Sequence, residues 1–356
     1  MGLDFEKFAG TGLQKAKKMG AEQAELFVVK NRSLEVELKD GRIDEIKQSD
    51  SHGVGLRVIK GHRQGFSFST DFRASALDKM VVQAMENSRY HDEDEDLHFP
   101  VGGQVYPRLN LYDPALKQHS LEDKMQLAQE TAEAAKKWHQ QVSRIERSGY
   151  EEGEVAMWLA NSNGILQHQA GTYCGLFCLA LGEKNGEQQS GYGMDSGISL
   201  AALSPTKAGN MAGKRAVQLL GAAPVNSGVM DLVLEPMIAA QIFGIISACF
   251  SGEAVRKNKS FLADKVGQLV AGTEVTLIDD GCMEQHLASG SFDGEGTATQ
   301  RTVLVENGML KQYLYDCLSA KKAGTVSTGN GVRGSYKGTP HVGTTNYYLA
   351  AGRYSP

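Results

Sequence analysis

Helical and strand-like patterns of apolar residues alternate along the first 220 residues and occur twice in the same order. A helical stripe is expected over Leu3–Met19, strand patterns follow, and a second helical stripe covers Arg73–Ser88. From Leu121 to Leu220 the order of helix, strands and helix returns. We therefore predict an internally duplicated unit of helix, β-meander and helix, with a connector near residues 90–111.

The turns support this duplication. Asp40-Gly41 in the first unit and Asn163-Gly164 in the second are strong hairpin signals, because Asp, Asn and Gly tolerate positive φ. Gly53–Val58 corresponds in the same way to Gly175–Ala180. The predicted strands are short, namely Ala24–Lys30, Ser33–Lys39, Ile43–Gln48, Gly53–Lys60, Gln64–Thr70, Val142–Gly149, Gly153–Ala160, Ile165–Ala170, Tyr173–Gly182 and Gln188–Ser196.

After residue 223, the stretch Gly228–Ala240 organises the chain. The apolar run from Val229 to Leu234 predicts a buried strand, and Glu235-Pro236 predicts the start of a helix that continues to Phe250. A core face is expected on this helix, formed by Ile238, Ile242, Ile245, Ile246 and Cys249. Its first turn and a half contains no His, Cys or Ser, so we expect it to serve packing and assign no catalytic residue.

The remaining residues predict a β-rich domain. Glu274–Asp279 is expected to be a strand, and Arg301–Glu306 and Leu310–Tyr315 are expected to form a hairpin around Asn307-Gly308. A last strand is expected near Asn346–Leu349. We thus predict an α+β fold with two domains, residues 1–223 containing the duplication and residues 224–356 containing the β-rich part with one central helix.

Two glycine-rich loops, Ser289–Thr297 and Thr328–Gly334, are candidates for binding. Their backbone N–H groups could cradle a phosphate, helped by Arg333, but neither matches a known phosphate-binding motif. Glycines also let a second backbone approach closely, as when an extended peptide adds to a sheet edge. We favour the peptide interpretation.

Composition excludes several classes of function. The chain has 356 residues and a formal net charge of −5, with scattered basic residues, which argues against a nucleic-acid surface. Its five cysteines lack framework spacing, and neither an apolar leader nor a membrane-spanning run is evident. We expect a cytoplasmic protein without a membrane partner.

The nine histidines do not form a local zinc motif. His52, His168, His286 and His341 could converge in the fold, but surface or core positions are the more ordinary use of histidine. We therefore expect no metal ligand on this chain.

Several motifs together resemble the TldD/PmbA family, also described as modulator of DNA gyrase. They are Ala24–Phe27 with Asp40–Glu45 and Gly53–Val58, Ser260–Leu262 with Lys265–Gly267, Phe292–Gly296, and Ser327–Arg333. The resemblance covers nearly the whole chain. It implies a complex in which a TldD subunit carries H-E-x-x-x-H on the helix after a central strand and acts as a zinc peptidase on unfolded peptides. The PmbA or TldE subunit lacks that motif and pairs with TldD.

At the corresponding positions this chain has Glu235-Pro236-Met237-Ile238-Ala239-Ala240, without either histidine. The resemblance therefore implies a non-catalytic PmbA/TldE-type subunit with no cofactor of its own, and zinc on the catalytic partner. Expected partners are a TldD-like paralogue, an extended peptide and, in isolation, a second copy in a homodimer. Glu235, Asn330 and Arg333 are candidate peptide contacts, although helix capping or turn geometry explains each equally well.

Two alternatives stay open at this point. The chain could be an active metallopeptidase whose ligands come from separated histidines such as His286 and His341. It could instead regulate DNA gyrase through protein contacts. Family members usually continue for some tens of residues beyond the last strand, whereas this sequence stops at Pro356, so the C-terminal domain is expected to be truncated.

Overall fold

The computed structural model describes residues 4–353. Leu3, the predicted first residue of the N-terminal helix, lies outside this range. The described helices are α1 (Phe5–Lys18), α2 (Ala74–Asn87), α3 (Leu121–Trp138), α4 (Pro205–Gln218), α5 (Pro236–Ser247), α6 (Gly252–Arg256) and α7 (Cys317–Lys322). The strands are β1 (Gln23–Lys39), β2 (Arg42–Lys60), β3 (Arg63–Ser69), β4 (Val142–Asn161), β5 (Leu166–Lys184), β6 (Glu187–Gly197), β7 (Leu277–Asp280), β8 (Arg301–Glu306), β9 (Met309–Leu310), β10 (Gly331–Val332), β11 (His341–Val342) and β12 (Asn346–Leu349).

Side-chain caps fix the starts of α3 and α4. Ser120 and Asp123 form a reciprocal capping box at α3, and Ser204 caps α4 with Pro205 at its first turn. Both caps satisfy backbone N–H groups that a helix start leaves unpaired. They place the helix starts at Leu121 and Pro205.

The two helix–meander–helix units form one antiparallel sheet of six strands, in the order β3-β2-β1-β4-β5-β6. The units meet where β1 pairs with β4. In both units the closing helix lies directly on glycines of the outer strand: α2 covers Gly65 of β3, and α4 covers Gly191 and Gly193 of β6. A side chain at these positions would collide with helix backbone, so the matching glycines support the predicted duplication.

The predicted strands were too short. β1, β2, β4 and β5 each run for 17 to 20 residues, so the breaks that we expected within them are wrong. The polar residues at the expected breaks stay in the ladder, as in the pairs Asn31↔Val155 and Arg32↔Glu154. A polar stretch ends a strand only if its backbone leaves the ladder, and here neighbouring strands hold both sides.

The two sheet faces differ. One face packs against α1 and α2 at one end, through a core that includes Leu26, Leu56 and Leu77. Farther along, the same face packs against α3 and α4 around Tyr150 and Leu176. The opposite face contacts the C-terminal region through a small cluster of Phe27, Leu159, Ile165 and Phe292.

The C-terminal region contains a smaller antiparallel sheet, in the order β12-β7-β8-β9, around its own apolar core. The hairpin at Asn307-Gly308 is confirmed, and both residues have positive φ. The predicted strand Leu310–Tyr315 is wrong, because β9 ends at Leu310. Tyr313 and Leu314 are both buried. In a strand with one covered face, consecutive side chains point to opposite faces, so only one of the two would be buried.

The predicted buried strand at Val229–Leu234 is also wrong. These residues have no regular secondary structure, and Val229 and Val233 expose 108% and 96% of their surface. No described strand pairs with this segment, so its apolar pattern has nothing to pack against within residues 4–353.

The helix that follows is confirmed: α5 begins at Pro236, and a short 3-10 turn extends it to Phe250. Its expected core face is only partly right. Ile246 and Cys249 pack against the C-terminal core, whereas Ile238, Ile242 and Ile245 are exposed. No helix among the described residues is long and apolar enough to cross a membrane.

Candidate functional site

The sheet and the C-terminal loops meet at a buried group of charged side chains, which we call the junction network: Glu25, Arg57, Asp293, Glu295 and Arg333. Glu25 on β1 and Arg57 on β2 lie directly opposite each other in the sheet. The Arg57 guanidinium donates two hydrogen bonds to the Glu25 carboxylate, at 3.0 and 2.8 Å. Such a bidentate pair fixes both side chains in the sheet.

Arg333 reaches the same carboxylate from the C-terminal loop. It forms an ion pair with Glu25, and its guanidinium lies 4.7 Å from the ring centre of Phe27. The side chain is 1% exposed, and its Nε and Nη1 atoms have no hydrogen-bond partner in the described structure. Burial lowers the pKa of Arg333 to about 10, against the opposing effect of Glu25.

The two arginines determine the ionisation of Glu25. Burial alone would raise the pKa of this carboxyl, but Arg333 and Arg57 more than offset that effect and lower it. Glu25 is therefore held ionised between two cations. Arg57 also lies 3.7 Å from Glu295, so the network continues into the glycine-rich loop.

The loop Ser289–Thr297 closes around its own carboxylate. Asp293 accepts hydrogen bonds from the backbone N–H groups of Glu295, Thr297 and Gly331, at 2.9, 3.0 and 2.8 Å. These are the donors that the sequence offered to a phosphate. An internal carboxyl group thus occupies the cradle.

The two glycine-rich loops also provide the close backbone approach that the sequence predicted. Gly294 N–H donates to Gly331 O at 2.7 Å, and a Cβ on Gly294 would lie 2.6 Å from that oxygen. The second backbone at this point belongs to the chain itself. Whether a peptide also binds these loops stays a prediction.

The predicted peptide contacts fall in two places. Asn330 is 1% exposed, and its side-chain amide bonds to Asp279, Gly343 and Thr328. Asn330 and the buried Arg333 share one loop. Glu235 instead caps α5 through Met237 N–H at 2.9 Å and pairs with Arg215 of α4 at 2.6 Å. No described contact links Glu235 with the loop that contains Asn330 and Arg333. That any of these three residues contacts a peptide stays a prediction.

The residues at the start of α5 do not fit a zinc ion. Among Glu235–Ala240, Glu235 is the one residue whose side chain can bind zinc, and both of its carboxylate oxygens already accept hydrogen bonds. Within residues 4–353, no three His, Cys, Asp or Glu side chains lie close enough to hold a metal ion. His168 stacks on Trp158, and the Nδ1 atom of His286 lies 2.7 Å from the Glu284 carbonyl oxygen.

Sequence reasoning gave no role to Glu25 or Arg57, although both stood in motifs that it singled out. A signal was present: each is a lone charge inside an otherwise apolar strand segment, Ala24–Val29 and Val54–Ile59. A charge at such a position has to be paired in the fold. Arg333, the second partner of Glu25, lies 308 residues away from it in sequence, so local patterns could not identify this pair.

A cavity of about 320 Å³ lies on the same side of the sheet. Its walls come from β4, from β5, from the connector at Leu111 and from the loop at His286–Ser289. Most of the surface that lines it is apolar. Pockets between structural units are frequent ligand sites, so this cavity is a second candidate.

Comparison with known proteins identifies the relatives of this chain. Three family descriptions match it: PmbA/TldA metallopeptidase domain 1 over residues 24–88, the central domain over 114–220 and the C-terminal domain over 227–356. An uncharacterized protein of Methanocaldococcus jannaschii is 31% identical, over 98% of this chain and 78% of its own length. Metalloprotease PmbA of Escherichia coli O157:H7 is 25% identical, over 92% of this chain and 73% of its own length.

Solved structures have the same fold. TldE from Thermococcus kodakarensis superposes with a TM-score of 0.82 at 22% identity, covering 97% of this chain and 78% of that one. A candidate modulator of DNA gyrase from Bacteroides thetaiotaomicron gives a TM-score of 0.86 at 24% identity, covering 99% and 78%. The mixed α and β architecture is thus shared over nearly the whole chain.

Proposed function

This chain belongs to the PmbA/TldD metallopeptidase family, and from that premise we propose that it is the non-catalytic, PmbA/TldE-like subunit of a zinc metallopeptidase complex. In that role it pairs with a TldD-like catalytic paralogue in the cytoplasm. It helps to enclose an extended, unfolded peptide that the paralogue cleaves.

The start of α5 carries this proposal. The family resemblance implies that the catalytic subunit has two zinc-binding histidines at the positions that are Glu235 to Ala240 here. Pro236, Met237, Ile238 and the two alanines have no zinc-binding side chain. Glu235 is engaged in helix capping and in its pair with Arg215, so it is not free to hold a metal. The catalytic zinc therefore belongs to the partner, where it would activate the attacking water.

The peptide-holding role is argued from the glycine-rich loops. Glycine-rich loops expose backbone N–H and C=O groups. Such groups can bind an extended peptide through main-chain hydrogen bonds. Glu235, Asn330 and Arg333 remain candidates for these contacts. For Asn330 and Arg333, contact with peptide requires that the loop open, because both are buried.

The test combines metal content with cleavage. The purified chain is analysed for zinc and incubated with an unfolded peptide, alone and with a paralogue that carries H-E-x-x-x-H. We expect no stoichiometric zinc, no cleavage by the chain alone, and chelator-sensitive cleavage that rises when both chains are present. A paralogue with both histidines replaced is the control, and it should abolish cleavage while leaving complex formation intact.

Two outcomes would overturn this proposal. Stoichiometric zinc on the chain alone, with cleavage lost in His286→Ala, would make it an active peptidase with ligands outside α5. Co-purification of a gyrase subunit without any effect on cleavage would favour the regulatory function.

A further inference from the structure

The cavity beside the junction network has an apolar interior. On β4 and β5 the cross-strand pairs Val155↔Gly171 and Met157↔Gln169 place these residues on one face of the sheet. Leu111 and Leu287 close the cavity from the connector and the C-terminal loop. A volume of about 320 Å³ is at the lower end of ligand pockets, which suits one or two apolar side chains.

Several polar atoms on the cavity wall are already engaged. Gln169 accepts a hydrogen bond from Ser291 N–H at 2.8 Å, and Ser289 donates to Met283 O at 2.6 Å. The Nδ1 atom of His286 lies 2.7 Å from Glu284 O. These atoms have partners within the chain, and most of the lining is apolar, so the apolar wall offers a ligand most of its contact surface. An apolar side chain fits that description better than a polar small molecule.

Gly171 gives the cavity part of its depth. A Cβ built on this residue would lie 3.5 Å from Leu111 O and 3.8 Å from Leu111 Cβ, which are ordinary contact distances. A larger side chain at this position would therefore extend into space that is now open, without a backbone collision. This makes Gly171 the natural position at which to fill the cavity.

Carboxylates lie next to the cavity, beyond Tyr173. Glu35 on β1 and Glu151 on β4 are directly opposite each other, which is unfavourable for two like charges. Neither has an ion-pair partner within 4 Å in the described part of the chain. Lys47 lies directly opposite Glu35 on β2 but pairs with Glu45, and Arg147 pairs with Glu37. Tyr173 is part of the cavity wall. Burial, followed by the charges of Glu151 and Glu35, raises the pKa of this tyrosine, so the negative charge of both carboxylates is felt at the wall.

These carboxylates favour a basic ligand group over a second copy of this chain. A cation placed between Glu35 and Glu151 would relieve their repulsion. A second copy would bring a further net charge of −5 to an acidic surface. A flexible peptide with a lysine or arginine has the complementary charge.

The distance between the cavity and the pair Glu35 and Glu151 can be measured along β5. Glu151 pairs with Gly175, and its Oε1 atom would lie 3.1 Å from a Cβ on that glycine. Gly171 and Gly175 are four residues apart on β5, which corresponds to about 13 Å at ~3.3 Å per residue. An extended peptide along the strand direction therefore spans cavity and carboxylates with four residues.

We propose that this cavity binds an apolar side chain of an extended peptide whose lysine or arginine, about four residues away, binds between Glu35 and Glu151. This inference rests on the proposed function in that the ligand is an unfolded peptide, and it adds the sequence class of that peptide. It also places a binding site on the subunit without zinc.

Binding to the full chain alone tests the proposal. Fluorescence anisotropy is measured with labelled Gly/Ser peptides that carry Leu and Lys four positions apart, Ala and Lys, or Leu and Glu. We expect the Leu–Lys peptide to bind at least about tenfold more tightly than the other two. Equal affinity for all three would overturn the proposal.

Two substitutions identify the site. Gly171→Leu fills the cavity and should weaken Leu–Lys binding at least about tenfold, whereas Gly338→Leu, at a glycine with open space around it, should leave binding unchanged. Glu151→Gln should weaken binding several-fold for the Leu–Lys peptide and leave a Leu–Gly peptide unaffected. Wild-type affinity in Gly171→Leu, with native circular dichroism, would overturn the proposal.

The same variants separate this inference from the proposed function. If Gly171→Leu binds the Leu–Lys peptide as tightly as the wild type does and still joins and stimulates the paralogue, the cavity inference fails and the subunit role stands. If the chain binds Leu–Lys peptide through Gly171 but neither joins nor stimulates the paralogue, the subunit role fails and the inference stands. A change in dimerisation without a change in peptide binding, measured by sedimentation, would assign the cavity to a second copy and overturn the inference.

Discussion

The junction network and the segment from Gly228 to Ser247 place side chains in opposite ways. The network buries Glu25, Arg57 and Arg333, whereas the segment exposes two valines, one leucine and three isoleucines. Buried charge and exposed apolar surface are the two observations about burial that carry information, because exposed charge and buried apolar residues are ordinary. Each region therefore requires its own physical account.

Partners explain the difference. The charges in the network pair across three elements, β1, β2 and the loop at Arg333, so their burial is compensated by ion pairs and hydrogen bonds. The segment has apolar side chains but no strand or helix over Val229 and Val233. Burial thus follows from the presence of a matching surface and not from the hydrophobicity of a residue alone.

The largest expected effect is at Arg57. The substitution Arg57→Met should lower the free energy of unfolding by about 3–5 kcal/mol, because it leaves the buried Glu25 and Glu295 carboxylates with one cation fewer. Urea denaturation followed by circular dichroism measures this loss.

A matched control lies on the same sheet. Arg32 pairs with Asp50 at 3.4 Å, but both side chains are about half exposed. Arg32→Met should therefore change the unfolding free energy by no more than about 1 kcal/mol. Equal losses in the two variants would show that the network does not stabilise the junction.

The second effect concerns pH. Burial and then the neighbouring Glu295 carboxylate raise the pKa of Asp293 from 3.8 to about 8. Between these values the folded chain keeps a proton that the unfolded chain releases. The stabilisation is therefore complete below pH 3.8 and is lost as the pH rises through about 8, with a slope of at most about 1.4 kcal/mol per pH unit for one proton.

Denaturation at pH 5, 6, 7 and 8 tests this slope, in the wild type and in Asp293→Asn. The variant is expected to be less stable overall, because an amide N–H₂ would face one of the three backbone N–H donors. Its stability should nevertheless depend less on pH. Parallel curves would mean that Asp293 does not titrate in this range.

Much of the N-terminal architecture could be predicted because it depends on local pattern. The period of the apolar residues indicated the helices, and Asp40-Gly41 indicated its hairpin, where both residues have positive φ. The strand lengths could not be predicted, because Asn31 and Arg32 look like a break until β4 is known to pair with them. Periodicity reports which face is apolar, and pairing decides where a strand ends.

The candidate sites were less predictable for the same reason. The loop at Phe292–Gly296 was recognised from its glycines, but Asp293 was not recognised as the group whose carboxyl oxygens accept the hydrogen bonds of its backbone. The cavity at Gly171 depends on the packing of β5 against a loop more than 100 residues later in the sequence, at His286. No local motif encodes such a contact.

The smallest expected effect sharpens the contrast between the two regions. Val233→Ser should change the unfolding free energy by less than about 0.5 kcal/mol, because Val233 is almost fully exposed and contacts no core. Val54→Ser is the matched control, since Val54 is completely buried in β2, and it should cost about 1.5–3 kcal/mol. Both are measured by urea denaturation of the same chain. A cost at Val233 as large as that at Val54 would mean that residues 229–234 are buried in solution, as their apolar pattern predicts. A cost near zero would mean that this apolar stretch contributes nothing to the stability of the isolated chain, and that its hydrophobicity is available to a partner.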